Sequence, residues 1–443
     1  DAALRVARVE ERLFTRDEGQ NAAQSEAAKE LPKKVAEALS RGPADRNPAQ
    51  LDEIEKHYRE SMAAYSALLK KLREQVAERE KLEKSFVRVM VMQDKPGSRK
   101  SFILYKGLYN QKREEVSAEV PQSLPALPEK APRNRLSLAR WLVDPSHPLT
   151  ARVTVNREWQ KFFGTGLVKT VEDLGAQGEK PTHPQLLDWL ANEFIRSGWN
   201  LKALHRLIVT SATYRQSARW TAKLARKDPA NRLLGRGPRW RMPSWMIRDH
   251  ALAASGLLVN RIGGPSVKPY QPKGVWAEAT FGKMRYSQDK GDKLYRRSIY
   301  TFWRRIIGPT IFFDTAKRQT CEVRKTLTNT PLHALATLND ITYVEASRAL
   351  AQRILEKAGP EPTDRAAMAF RIATCRRPDA AELKILLGRL AILKKQYSAS
   401  PGEAAKLLSV GDSPRNTKLD AIEHAAYAGL CSLILNLDEA LTK

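Results

Sequence analysis

Residues 51–86 read LDEIEKHYRESMAAYSALLKKLREQVAEREKLEKSF, with apolar positions at steps of mostly three or four and charged residues between them. This spacing keeps apolar side chains on one face of an α-helix. It predicts one long amphipathic helix or a helical hairpin. The apolar positions are Leu51, Ile54, Tyr58, Met62, Tyr65, Leu68, Leu72, Val76 and Leu82.

Helical patterns also fill residues 135–209 and the stretch from Thr330-Pro331 to Leu441, whereas residues 212–330 are rich in loops and aromatic side chains. The sequence therefore predicts a mainly α protein, a multi-helix domain with a loop-rich aromatic middle. A few short β-strands are expected, at Phe86–Met92 paired with Ser101–Tyr105 across a Lys95-Pro-Gly97 turn, and at Arg297–Trp303.

Four prolines between residues 121 and 132 mark an extended linker. We therefore expect a helical arm with a β-hairpin over 1–120, forming the end of a preceding domain. A Pro-rich linker follows over 121–133, and a C-terminal domain over 134–443. Because the chain begins at Asp1 rather than Met, we expect a leader or a larger N-terminal part to precede it.

The 443-residue chain has 76 basic and 49 acidic residues, a formal net charge of +27. This excess favours an anionic partner, such as an acidic protein, an acidic polysaccharide, a membrane surface or nucleic acid. The basic residues are spread along the whole chain, so an evenly basic, solvated surface is the other interpretation. Charge alone does not choose among them.

Motifs of catalysis and cofactor binding are missing from the sequence. The histidines form no pair at metal-binding spacing, so no metal site is predicted. No nucleophile elbow or phosphate-binding glycine loop occurs. The three cysteines include no CxxC or CxxCH pattern, so no cofactor is predicted in this chain. The longest uncharged run, from Ala425 to Asn436, is too short to span a bilayer.

The aromatic middle offers the best site candidates. Arg248 and Asp249 lie on a predicted helix over Met246–Leu258, where a structural ion pair is the favoured interpretation. Aromatic side chains beside cations suit stacking on a sugar or a base, although large aromatics in loops also commonly fill the core. The binding candidates are Tyr270, Trp276, Arg297, Trp303 and Arg304, and the weaker catalytic candidates are His183, His205, Arg248, Asp249, Asp314, Arg324 and Asn339.

Several motifs, in order along the chain, together resemble a known family. They are NRLSLARWLVDP (134–145), LTARVTVNR (149–157), FGTGLV (163–168), PTHPQLLDWL (181–190), LHRLIVTSATYRQ (204–216), GGPSV (263–267), TLTNTPL (326–332), LND (338–340) and NLDE (436–439). Residues 134–441 resemble the uncharacterised C-terminal domain of large exported planctomycete-type proteins. In these proteins a planctomycete cytochrome c domain often lies at the N-terminus.

The resemblance implies an exported, periplasmic protein with haem c on an upstream domain or partner chain. It implies as partners the preceding domain or chain and an exported sulfatase- or phosphatase-like protein, and it carries no known reaction. Three functional hypotheses follow. The first is an accessory domain docking an anionic protein or polysaccharide. The second is part of an enzyme acting on polysaccharide or in redox chemistry, which requires at least three catalytic candidates to converge in a deep pocket. The third, nucleic-acid binding, is disfavoured because no recognised binding motif is present.

Overall fold

A computed structural model of the chain describes residues 2–93, 97, 100–304, 307–315, 321–323 and 327–443. The chain divides into two compact units, Asp1–Ser117 and Ala118–Lys443. Helices dominate both units, and the described residues contain one two-stranded sheet. The predicted mainly α class is confirmed. Within the described ranges, no helix combines the length and the apolar character needed to cross a membrane.

The first unit is built around a helical hairpin. Its helices are α1 (Ala2–Leu13), α2 (Lys33–Leu39), α3 (Pro48–Tyr58) and α4 (Ala63–Ser85). Asn47 caps α3 by accepting a hydrogen bond from the Gln50 amide, and Pro48 occupies the first helical position. Leu51 and Ile54 of α3 are buried with Leu69 and Leu72 of α4. The hairpin alternative for residues 51–86 is therefore the one the chain adopts.

A buried ion pair crosses the core of this unit. Both terminal nitrogens of Arg46 donate to the Glu10 carboxylate, and the Arg46 Nε donates to the carbonyls of Ala38 and Arg41 at 3.0 Å each. The Tyr65 hydroxyl donates to the same carboxylate at 2.7 Å. The Arg46 side chain is 0% exposed and that of Glu10 is 3% exposed, so neither charge is compensated by water.

The β-hairpin is formed by β1 (Ser101–Leu104) and β2 (Lys112–Val116), which are antiparallel with Ser101 opposite Val116. The predicted strand at Phe86–Met92 is wrong, because this stretch is irregular and its side chains are exposed. The strand that pairs with β1 is instead β2, which follows after a seven-residue connection; apolar alternation alone does not identify a partner. Of the predicted turn, Lys95 and Pro96 lie outside the described residues.

The second unit has two helical cores. Its helices are α5 (Arg135–Leu142), α6 (Thr150–Phe163), α7 (Pro184–Arg196), α8 (Leu201–Thr210), α9 (Ala212–Arg215), α10 (Ala222–Lys227), α11 (Ser244–Ser255), α12 (Val275–Ala279), α13 (Pro331–Asn339), α14 (Ile341–Lys357), α15 (Pro362–Thr374), α16 (Ala380–Ala399), α17 (Pro401–Leu408), α18 (Ala421–Leu435) and α19 (Asp438–Leu441). Helices α6, α7 and α8 bury Val155, Leu187, Phe194 and Ile208. A larger apolar cluster, which includes Leu350, is buried between α11, α14, α15, α16 and α18.

Irregular backbone connects α11 to α13. Within its described residues, the regular elements besides α12 are two short 3₁₀ turns, at Gly291–Tyr295 and Ser298–Tyr300. The predicted strand at Arg297–Trp303 is wrong, since only isolated bridges form there, including Val267 with Thr301. The carbonyls of Leu294 and Arg296, just before the predicted strand, accept hydrogen bonds from the Arg248 side chain. Side chains therefore satisfy backbone groups of this segment that a sheet ladder would otherwise pair.

Replacing Arg46 with Ala should destabilise the first unit by about 3–5 kcal/mol, because the substitution leaves the Glu10 carboxylate buried without its counter-ion. Hydrogen–deuterium exchange across α1–α4 reports this change locally. Arg59→Ala is the matched control, since Arg59 pairs with Glu55 at 3.4 Å from a largely exposed position, and it should cost about 1 kcal/mol or less. Equal exchange in the two variants would contradict the structural role of Arg46.

Candidate binding cleft

Three residues predicted from the sequence line one cleft of the second unit. Asp249, Arg297 and Trp303 surround a cavity of about 510 Å³, which we name the Asp249 cleft. The other lining residues are Trp245, Met246, Ser298, Ile299, Thr301, Phe312 and Thr315. Its described lining thus combines aromatic rings with one carboxylate, one guanidinium and hydroxyl groups.

Helix α11 forms one wall and fixes the polar groups. Ile247 and Ala251 are buried in the same apolar cluster as residues of α14. Gly256 ends the helix in the left-handed region at φ 84°, which a side chain would strain. Helical rotation then places Arg248 in the interior and the adjacent Asp249 at the cleft. The helix was predicted at Met246–Leu258, and it begins and ends a few residues earlier.

Arg248 is fully buried beneath the cleft. It donates to the carbonyls of Leu294 at 2.8 Å and Arg296 at 3.0 Å, and to the Ser298 hydroxyl at 3.2 Å. Burial lowers the pKa of the Arg248 guanidinium, and the negative charge of Asp249 opposes that shift. The buried cation therefore gives a fixed positive charge behind the cleft wall.

Asp249 is held by Ser298 on one side only. Its Oδ1 accepts hydrogen bonds from the Ser298 amide at 2.8 Å and from the Ser298 hydroxyl at 2.7 Å. The Arg248 Nη1 lies 3.6 Å from the same oxygen, which forms the predicted structural ion pair. The other oxygen, Oδ2, lies 4.0 Å from the Arg297 Nε, and the Arg297 side chain is 51% exposed. An oriented carboxylate and a solvent-accessible guanidinium therefore face the cleft together.

Aromatic and hydroxyl groups complete the cleft. The Trp303 and Phe312 rings stack with centroids 6.0 Å apart and planes at 20°. The hydroxyl of the lining residue Thr301 is buried and has no hydrogen-bond partner among the described residues. This oxygen is therefore an unsatisfied polar atom inside the wall of the cleft, where buried polar groups are normally paired.

The other binding candidates lie elsewhere. Tyr270 is buried, and its hydroxyl accepts a hydrogen bond from the Asp412 amide at 2.8 Å. Trp276 is buried against Phe302, and its Nε1 donates to Gln271. Both therefore fill the core that their loops require, which was the alternative interpretation of these aromatics. Arg304 is exposed and contacts Met284.

The catalytic candidates do not converge within the described residues. His183 lies beside Thr182 at 3.0 Å, and His205 pairs with Glu158 at 2.7 Å. Asp314 accepts hydrogen bonds from Thr328, and Asn339 bonds the Leu335 carbonyl at the exposed end of α13. Of the seven candidates, only Arg248 and Asp249 lie together, and Arg324 lies outside the described residues.

The starts of α7 and α13 differ. Threonine is a common capping residue, but His183 rather than Thr182 is the capping position of α7, and the Thr182 hydroxyl donates to the Leu167 carbonyl. Thr330 is the capping position of α13, and Pro331 is its first residue.

No pattern in the sequence marked Ser298 or Thr301 as part of a site. Ser298 contacts α11 across about 50 positions of chain, as its bond to Asp249 shows, and no local motif marks such a contact. As for metals, no group of three His, Cys, Asp or Glu side chains in the described part of the chain is placed to hold an ion.

Residues 134–390, more than half of the chain, match the family model PSD1, described as a protein of unknown function (DUF1553). The chain belongs to this family. The assignment confirms the resemblance that the sequence motifs indicated, and the described lining residues of the Asp249 cleft all lie inside the PSD1 region. No curated protein and no solved structure matches the chain.

Replacing Ser298 with Ala should destabilise the PSD1 region by about 1–3 kcal/mol, because a buried Arg248 N–H and the Asp249 carboxylate each lose a partner. Chemical denaturation followed by circular dichroism measures the change. The control is Ser409→Ala, which removes an exposed hydroxyl that bonds the Lys406 carbonyl and should cost about 0.5 kcal/mol or less. Indistinguishable denaturation midpoints for the two variants would contradict a stabilising role for the Ser298 hydrogen bonds to Arg248 and Asp249.

Proposed function

We propose that the PSD1 region is an accessory binding domain that docks an anionic saccharide through the Asp249 cleft. The observation that carries this proposal is the Asp249–Arg297 pair beside Trp303 in an open cavity. Following the resemblance, we place the domain in an exported, periplasmic multidomain protein with haem c upstream. A sulfatase- or phosphatase-like protein remains the proposed partner chain.

The chemistry of the lining suits a sugar. Aromatic rings offer an apolar surface to the C–H faces of a pyranose, and they lose little entropy when they bind. Asp249 can accept hydrogen bonds from hydroxyl groups, and the Arg297 guanidinium can donate two parallel bonds to a carboxylate or a sulfate. A ligand with hydroxyl groups and sparse anionic groups uses all of these features.

Electrostatics favours an anionic ligand over a neutral one. The chain carries a formal charge of +27. At the cleft, the buried Arg248 guanidinium lies 3.6 Å from the Asp249 carboxylate and offsets its charge, so Arg297 leaves the described site with a net positive charge. Such a field attracts anions and weakens as salt rises. Binding should therefore be weaker for a neutral sugar and should decline with ionic strength.

Catalysis has less support than binding. Hydrolysis of a glycosidic bond by the usual mechanism requires two carboxyl groups across the scissile bond. Among the described residues that line the cleft, Asp249 is the one carboxylate, and Ser298 already occupies one of its oxygens. The geometry thus favours recognition without bond cleavage.

The test is isothermal titration calorimetry of the full chain with a hyaluronan hexasaccharide, which carries a carboxylate on every second sugar, and a sulfated carrageenan oligosaccharide, with cellohexaose as the neutral comparison. Replacing Arg297 with Ala should weaken binding of the preferred anionic oligosaccharide about tenfold, since one charge-assisted contact is lost. The variant should remain folded, because the Arg297 side chain is half-exposed and its Nε lies as far as 4.0 Å from the Asp249 carboxylate, so the pair contributes little to stability.

The matched control is Arg389→Ala, which removes an equal charge from an exposed position on α16 outside the cleft lining. It should leave the affinity unchanged. If Arg297→Ala and Arg389→Ala bind with equal affinity, or if cellohexaose binds as tightly as both anionic sugars, the proposed function is wrong.

A further inference from the structure

We infer that the Asp249 cleft is one end of a continuous groove that holds a polysaccharide chain of several sugar units. This inference rests on the proposed function and extends it from a single subsite to a polymer. Its basis is the way in which neighbouring cavities of the second unit share their walls.

Two further cavities adjoin the Asp249 cleft in sequence. Trp245 and Met246 line both the Asp249 cleft and a cavity of about 760 Å³, which we name the middle cleft. Gly164 and Trp240 in turn line both the middle cleft and a cavity of about 390 Å³, which we name the arginine cleft. Because each pair of cavities shares lining residues, the three lie side by side in one row.

A tryptophan marks each stage of this path. Trp303 lies in the Asp249 cleft, Trp245 and Trp240 lie at the two junctions, and Trp220 lies in the arginine cleft, where it is 62% exposed. Aromatic side chains repeated along a groove provide successive stacking surfaces for a polymer. A single small ligand would need only one of these surfaces.

Close packing at Gly164 brings the middle cleft and the arginine cleft next to each other. Gly164 ends α6 in the left-handed region at φ 76°, where L side chains are strained. A Cβ atom at this position would lie 3.0 Å from the Trp240 side chain. Glycine therefore allows the end of α6 to lie directly against the tryptophan that lines both cavities.

The arginine cleft gives the groove its positive end. Arg232, Arg236 and Arg239 line it, and its described lining contains no carboxylate. Arg232 donates to the Gly166 carbonyl at 2.7 Å, and Arg236 donates to the Pro229 carbonyl at 2.8 Å, so both are held without losing their charge. The nearest acidic partners, Asp438 for Arg239 and Glu179 at 4.0 Å from Arg232, lie outside the lining.

The remainder of the groove disfavours a nucleic acid. The described lining of the middle cleft is formally neutral, because Arg157 and Lys161 balance Glu158 and Glu322. A single-stranded nucleic acid carries a phosphate on every residue and needs positive charge along its whole path. A polysaccharide with acidic groups at intervals needs guanidinium groups only at intervals, and here they lie at the two ends, as Arg297 and as the three arginines of the arginine cleft.

The test measures affinity against chain length by calorimetry, with hyaluronan oligosaccharides of two, four, six and ten units, which carry a carboxylate on every second sugar. Affinity should rise with length until the groove is filled. Replacing the exposed Trp220 with Ala should weaken binding of the ten-unit chain about fivefold and leave the shortest bound chain unchanged. Trp189→Ala is the matched control, because Trp189 is similarly exposed on α7 and lies outside the lining of the three clefts.

The outcomes separate the groove from the underlying binding function. If Arg297→Ala weakens every length but affinity is independent of length, or Trp220→Ala behaves like Trp189→Ala, the cleft binds sugar and the groove inference is wrong. If Arg297→Ala has no effect at any length, the proposed function itself fails. Displacement of the ten-unit chain by an equimolar oligothymidylate of similar length would also overturn the inference, in favour of nucleic-acid binding.

Discussion

The interaction on which the second unit depends is the hydrogen bond from a buried arginine side chain to the carbonyls of irregular backbone. Arg248 binds the carbonyls of Leu294 and Arg296, and Arg296 binds those of Arg261 at 2.8 Å, Gly263 at 2.6 Å and Pro265 at 3.2 Å. Loops without a sheet or helix must satisfy their polar groups in another way when they are buried. Here the planar guanidinium, with five donors, replaces the missing ladder.

The same principle joins the helices to their connecting loops. Arg348 of α14 donates to the Ser413 carbonyl at 2.8 Å, while Glu345 accepts from the Ser413 amide at 2.6 Å and from the Tyr295 hydroxyl at 2.8 Å. A Cβ atom at Gly411 would lie 2.2 Å from the Glu345 side chain, so only glycine allows this loop to approach the buried carboxylate. The loops that carry Tyr295 and Ser413 are therefore held by polar side-chain contacts to α14 rather than by regular strands.

These contacts change the meaning of the net charge. The surplus of basic residues predicted an anion outside the protein, but several arginines are buried and contribute to the scaffold. Carbonyl groups orient a guanidinium without neutralising it, so the positive field remains. The structural and the recognition roles of arginine are thus compatible, because a side chain fixed by backbone carbonyls still attracts an anion that enters the neighbouring cleft.

Local patterns predicted the helices well, because the periodicity of α3, α4 and α6 and the Thr330-Pro331 start of α13 depend on nearby residues. The apolar alternation of Phe86–Met92 led to a wrong strand, since pairing depends on a partner that alternation does not identify. The candidate site was predicted only in part. Arg248, Asp249, Arg297 and Trp303 were expected from residue type, whereas the position of Ser298 and the placing of the three cavities side by side depend on contacts between distant segments.

Replacement of Arg296 with Lys tests the central claim most directly, because lysine keeps the charge but cannot reach three carbonyls with a planar fork. Hydrogen–deuterium exchange is measured at the amides of Val259 and Val267, which bond the carbonyls of Tyr295 and Tyr300. The arginine–carbonyl account predicts exchange at least about tenfold faster at these amides, a loss of local stability of about 1.4 kcal/mol, with α18 unchanged. Wild-type exchange at Val259 and Val267, or an equal increase throughout α18, would contradict it.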